Sequence, residues 1–205
     1  MVTETQVLKV VRNTSQQVRP FCLALLVAVS AGCGVAWHQS NVEEESGPYQ
    51  FHRALSWQSY DFDVSASGEK LTIKAADQIL TDTIDGIVTG AEVGDLNLDG
   101  YPELLVFVTS AGSGSYGSVI GYSSNAGKSM SRMNTALATE NPKYSNGYMG
   151  HDKLALVEGT LVQAFPVYRK GDLNFKPTGP TRQIQYKMVD GEAVRQLVVA
   201  KVLEY

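Results

Sequence analysis

The sequence predicts an all-β fold, a mostly antiparallel β-sandwich with room for one short helix. Three observations carry this. Stretches such as YDFDVSAS (60–67) and KLTIKA (70–75) alternate polar and apolar residues, the period-two pattern of a strand with one buried face. Turn pairs such as Glu158-Gly159 and Asp190-Gly191 separate further runs of this kind and suit tight antiparallel connections. Finally, ELLVFVTS (103–110) is continuously apolar until its end, which suits a strand covered on both faces.

Taken in order, DGIVTGAEVGDL (85–96) reads as a pair of short strands punctuated by glycine. ELLVFVTS follows, and YGSVIGYSS (116–124) is its return strand. NAGKSMSRMNTALATE (125–140) is the one place for a short helix. KLALVEGTLVQAFPVY (153–168) is two strands around Glu158-Gly159, and residues 182–205 form a hairpin turning at Asp190-Gly191. Tandem repeats are absent, and strands at this spacing favour a sandwich or barrel.

The chain of 205 residues is 43% hydrophobic and 19% charged, enough for one domain with its own core. Its net charge of −4 comes without a basic cluster, which argues against a nucleic-acid partner. Lys9, Arg12 and Arg19 precede the apolar run PFCLALLVAVSAG (20–32), shorter than the roughly 20 residues of a membrane span. Positive, then apolar, then small residues make a secretory signal. The small residues before Cys33 resemble a lipoprotein signal, although Ser30 stands where Leu is usual.

The expected organisation is therefore a signal at 1–32, a polar tether at 33–48 and a single domain at 49–205. Cys33 is the expected lipidation site, the other reading being ordinary cleavage nearby. Gly34 follows it in place of an Asp that would retain the protein at the inner membrane. The expected location is the periplasm of a Gram-negative bacterium, at an outer-membrane anchor. Without residues 1–32 the chain has 14 Lys+Arg against 20 Asp+Glu, net −6, and Cys33 as its one cysteine. A disulfide, a Cys metal site and a thiol nucleophile are thereby excluded.

Gly112, Gly114 and Gly117 spell G-x-G-x-x-G after an apolar strand. A dinucleotide site needs a helix opening at the third glycine, and here Ser-Val-Ile-Gly-Tyr continues as a strand. Neither Ser113 nor Ser115 has the flanking glycines of a nucleophile elbow. His38, His52 and His151 form no metal pair at helical spacing, and His52 and His151 read as surface or satisfied polar side chains. No catalytic constellation is visible, so the chain is not expected to be an enzyme. What remains is a small-residue loop carrying Tyr116, which either meets a partner or folds back on the sheet.

Before it, Asp95, Asn97, Asp99, Gly100 and Glu103 match D-x-N-x-D-G-x-x-E. Alternate oxygen donors, with the Tyr101 carbonyl as a further ligand, suit Ca²⁺. Val106 stands where an EF-hand has its last ligand and Leu98 where such loops often have Gly. The other reading is an Asx-rich turn that needs no metal. No other cofactor is expected.

The stretch GDLNLDGYPELLVFVTSAGSGSYGS (94–118) resembles the periplasmic inhibitors of I-type (invertebrate) lysozyme. FPVYRKGDLNFKPTGPTRQIQYKM (165–188) is similar to exported proteins of the same group, through its F-P-x-Y, G-D-x-N, P-T-G and R-x-I-x-Y elements. The resemblance implies a β-sandwich lipoprotein that pushes this loop into the lysozyme cleft. Ser113 and Tyr116 would contact the catalytic carboxyls, with Gly112, Gly114, Ser115 and Gly117 shaping the loop. A different class stays open: a Ca²⁺-supported envelope lipoprotein with a structural or adhesive role. The sequence also leaves open a homodimer, and whether residues 169–182 are a second contact loop or a solvated connection.

Overall fold

The computed structural model describes residues 50–205. The signal, the tether, Cys33 and His38 lie outside the described residues. The described chain is all-β, as predicted, in three antiparallel four-stranded sheets. The first holds β1 (Gln50–Trp57), β2 (Tyr60–Ser67), β3 (Lys70–Ala75) and β4 (Gln78–Thr83). The second holds β5 (Ile87–Gly94), β6 (Glu103–Thr109), β7 (Gly117–Ser124) and β8 (Met130–Arg132). The third holds β9 (Lys153–Val157), β10 (Thr160–Pro166), β11 (Thr181–Val189) and β12 (Gln196–Glu204). Each sheet is a meander of sequential neighbours, so every pairing joins strands consecutive in the chain and none needs a crossover.

The sandwich has two cores because its middle sheet is covered on both faces. Leu104, Val106 and Val108 of β6 join Phe62, Val64, Leu71 and Ile73 of the first sheet. Leu105 and Phe107, pointing the other way, join Leu161, Phe165, Ile184 and Tyr186 of the third. This is why 103–110 is an unbroken apolar run, whereas β2 and β3, buried on one face only, alternate. Polar groups also tie the layers. The Tyr122 hydroxyl donates to Asp82 of β4 at 2.6 Å, and Asp82 also pairs with Arg132 of β8. On the other side, Leu156 N–H of β9 donates to Glu92 of β5 at 2.8 Å.

Three expectations are corrected in detail. Residues 85–96 form one strand, β5, with a bulge between Val88 and Gly90, and not two. A bulge inserts a residue without ending the pairing, so glycine here re-aims the strand and does not break it. The short helix of 125–140 is a turn, the three-residue β8 and a single 3-10 turn at Ala138–Glu140. Asn134 instead bridges to Gln196 of the third sheet, and that pairing holds the segment extended. The last hairpin reverses through six residues between β11 and β12, with Gly191 N–H donating to Val194 C=O.

Because β6 feeds both cores, Leu104→Ala and Leu105→Ala are each expected to cost about 2–5 kcal/mol. Denaturant unfolding should show losses of similar size from opposite faces of one strand.

Candidate functional site

Residues 110–116 join β6 to β7 at one end of the middle sheet. Ser110 N–H donates to the Tyr116 carbonyl at 2.8 Å, and Tyr116 N–H donates to Ser110 Oγ at 3.0 Å. Inside this closure Ser115 N–H donates to the Gly112 carbonyl at 3.3 Å. Gly112 takes φ +121°, a backbone region that disfavours side chains. A Cβ on Gly114 would lie 2.4 Å from Tyr116 Cε2, so the missing side chain is what lets the Tyr116 ring lie across the loop. The glycines of the G-x-G-x-x-G spacing thus shape a hairpin loop, and its third glycine opens a strand.

Two anchors hold the loop from below. At its return end, Gly117 N–H donates to Asp152 Oδ2 at 2.8 Å. The same carboxylate accepts the Tyr148 hydroxyl at 2.5 Å and Gln163 Nε2–H at 2.7 Å. Gln163 Oε1 in turn accepts the Tyr186 hydroxyl at 2.5 Å, and Tyr186 accepts Ala138 N–H at 2.9 Å. A polar chain therefore runs from the loop into the second core. Burial raises the Asp152 carboxyl above the ordinary carboxylate range, and the bonds from Tyr148, Gly117 and Gln163 oppose that shift. Burial, reinforced by the neighbouring Asp152, pushes the Tyr148 hydroxyl up, so it stays a proton donor.

At the tip, His151 N–H donates to the Gly114 carbonyl at 2.6 Å, and Asn174 Nδ2–H donates to the Ser113 carbonyl at 2.8 Å. Asn174 Oδ1 lies 3.1 Å from His151 Nε2, so both ends of that amide are engaged when Nε2 carries the proton. His151 is thus a satisfied polar side chain, as one of its two readings had it, and it takes a left-handed φ of +59°. His52, the other histidine in range, lies 2.7 Å from Asp63 on the first sheet.

Above these anchors Ser113 is exposed and Tyr116 keeps 48% of its surface in solvent. The Tyr116 ring packs edge-on against Tyr148, with centroids 5.6 Å apart, and Tyr148 packs on Phe165 at 4.7 Å. Tyr116 is therefore braced at one edge and open at the other, which combines the two readings of this side chain. The hydroxyls of Ser113 and Tyr116 enter no hydrogen bond among the described residues. Asp152, Tyr148, Gln163 and Asn174 were not legible as site residues. They come from segments up to 61 residues from the loop in sequence, and no local spacing marks them.

The acidic loop between β5 and β6 closes on itself. Asp95 accepts Asp99 N–H at 3.1 Å and Gly100 N–H at 2.8 Å, and Asp99 accepts Tyr101 N–H at 2.9 Å. Asn97 Nδ2–H donates to Asp99 at 2.8 Å. Glu103 ties this loop to β7. It is fully buried, accepting Leu96 N–H at 2.8 Å and the Ser123 hydroxyl at 3.0 Å. Burial pushes its carboxyl up to about 7, with Asp99 and Asp95 adding to the shift. Among the described residues no group of three or more His, Cys, Asp or Glu side chains is placed to hold a metal. Asp95 and Asp99 engage carboxylate oxygens with backbone N–H groups of the turn, and Glu103 engages its own with Leu96 N–H and the Ser123 hydroxyl. The geometry matches the Asx-rich turn, which braces the start of β6 through backbone N–H groups.

Asp152→Ala would leave three donors without their acceptor and is expected to cost about 2–4 kcal/mol in denaturant unfolding. Because the folded chain raises this carboxyl above its ordinary 3.8, its ionised form is the costly one, and its contribution to stability falls as pH rises from that value. Asp152→Asn should flatten the slope there. The acidic turn is expected to need no ion, so the unfolding midpoint should be equal in EDTA and in millimolar Ca²⁺. A rise of several degrees in Ca²⁺ would show that the ion binds.

No family model, curated protein or solved structure matches this chain.

Proposed function

We propose that this chain is a proteinaceous inhibitor of lysozyme, of the I-type above others, and that it acts by binding and not by catalysis. One observation carries the reading. Two exposed hydroxyl side chains, Ser113 and Tyr116, stand on a loop whose backbone is held at both ends and at its tip. A loop already held in shape loses little entropy when it docks.

The chemistry of the target fits such a loop. A lysozyme cleft presents two carboxyl groups flanking a sugar site, one protonated and one ionised. A hydroxyl both donates and accepts, so it can bond either form. Being neutral, it also avoids bringing a new charge out of water. In this proposal Ser113 bonds one carboxyl, while Tyr116 bonds the other and fills apolar space with its ring. The resemblance of residues 94–118 to the I-type inhibitors selects that lysozyme class. Export, acylation at Cys33 and an outer-membrane anchor belong to the same proposal, because they place the loop where an attacking lysozyme meets the cell wall. The acidic chain, net −4, favours encounter with a cationic enzyme.

Lysis assays with I-, c- and g-type lysozymes test this. Inhibition is expected with the I-type enzyme, and Ser113→Ala and Tyr116→Ala should each weaken it by about 1–3 kcal/mol. Activity of all three enzymes unchanged by the wild-type chain would reject the proposal. Equal inhibition by wild type and both variants would remove this loop from it.

A further inference from the structure

The connection from β10 to β11, residues 169–179, presents two large apolar side chains to solvent. Phe175 is 82% exposed and Leu173 56%. A slack loop would fold such side chains inward, yet this one is braced on both sides of Phe175. The Asp172 carboxylate accepts Arg169 N–H at 2.7 Å, Thr178 N–H at 2.8 Å and the Thr178 hydroxyl at 2.8 Å. Lys176 N–H donates to the Leu173 carbonyl at 2.8 Å, and the Tyr168 hydroxyl donates to the Asn174 carbonyl at 2.6 Å. The bonds to Asp172 also hold its carboxyl below the usual carboxylate range. Phe175 and Leu173 are thus held out in water by the backbone that carries them.

The position of this loop is as telling as its exposure. Asn174, between the two apolar residues, is the side chain that holds the Ser113 carbonyl at 2.8 Å. His151 links the same pair from below, through its backbone to Gly114 at 2.6 Å and its ring to Asn174 at 3.1 Å. Two loops from different sheets are therefore registered to each other by direct bonds, and their exposed side chains share one end of the molecule. Arg169, Lys170 and Lys176 make this loop cationic on an otherwise acidic chain.

We propose that residues 169–179 form a second contact element for the partner of the Ser113–Tyr116 loop, with Phe175 as an apolar knob occupying a sugar subsite beside the catalytic carboxyls. This rests on the inhibitor reading above. A groove that binds a glycan chain offers apolar faces where sugar rings lie and carboxyls at its catalytic centre. A rigid aromatic ring fills such a subsite at low entropic cost, and the flanking Arg and Lys side chains complement the acids. Ser113 and Tyr116 would then supply the polar contacts at the centre, and Phe175 the desolvated anchor that interfaces concentrate in a few residues.

The test is the inhibition constant of the purified chain against an I-type lysozyme, for the wild type, Phe175→Ala, Leu173→Ala and Tyr116→Ala. Phe175 makes no bond that holds the loop, so Phe175→Ala should unfold at the wild-type midpoint. It is expected to inhibit roughly tenfold to a hundredfold more weakly, with a smaller loss for Leu173→Ala. If Tyr116→Ala weakens inhibition while Phe175→Ala stays within about twofold of the wild type, this second contact is overturned and the first loop stands. A wild-type chain that inhibits no lysozyme overturns both.

Discussion

The architecture depends on one constraint: β6 must be desolvated on both faces. Its side chains alternate between two cores, with Leu104, Val106 and Val108 facing the first sheet and Leu105 and Phe107 facing the third. A strand apolar on both faces loses its driving force if either layer is missing. The outer sheets are thus held to the middle one by burial, with single polar ties such as Tyr122 to Asp82 and Glu92 to Leu156 adding register. Each sheet is a meander of sequential neighbours, and it is their stacking that hides the middle one.

That rigid strand is also what aims the candidate site. The loop after β6 inherits a fixed origin at Thr109 and a fixed return at Gly117, paired across the hairpin. Between them the third sheet supplies the rest of the hold, through Asp152 just before β9 and Gln163 on β10. A buried carboxylate is costly unless its oxygens are bonded, and Asp152 meets that condition only when Gly117, Tyr148 and Gln163 are all in place. Packing of the third sheet and the shape of the loop are in this way one event. Ser113 and Tyr116 stay outside it, with their backbones fixed and their hydroxyls open.

How much of this was legible varies by the range of the interaction. β2, β3, β7 and the β9–β10 pair were readable because alternation and a glycine turn are local signals. β1 and β4 were missed: QFHRALSW and QILTDT are at least half polar, none of their residues is fully buried, and edge strands carry little apolar pattern. The room for a short helix in 125–140 is taken by a single 3-10 turn at Ala138–Glu140, while Asn134 bridges to the third sheet. The turn chemistry of the acidic run before β6 was readable from its Asp and Asn spacing, but the burial of Glu103 was not, since its partner Ser123 lies 20 residues away on β7.

The sequence by itself determined the fold class, the two-faced burial of β6 and the loop that carries Ser113 and Tyr116. All three follow from composition and spacing within a few residues. Only the tertiary structure decided that the sandwich has three layers, that the loop hangs on Asp152 and Asn174, and that Phe175 stands exposed beside it. Those features depend on side chains brought together from different sheets. A hydrogen bond that spans 35 or 61 residues leaves no trace in local spacing until the layers have packed.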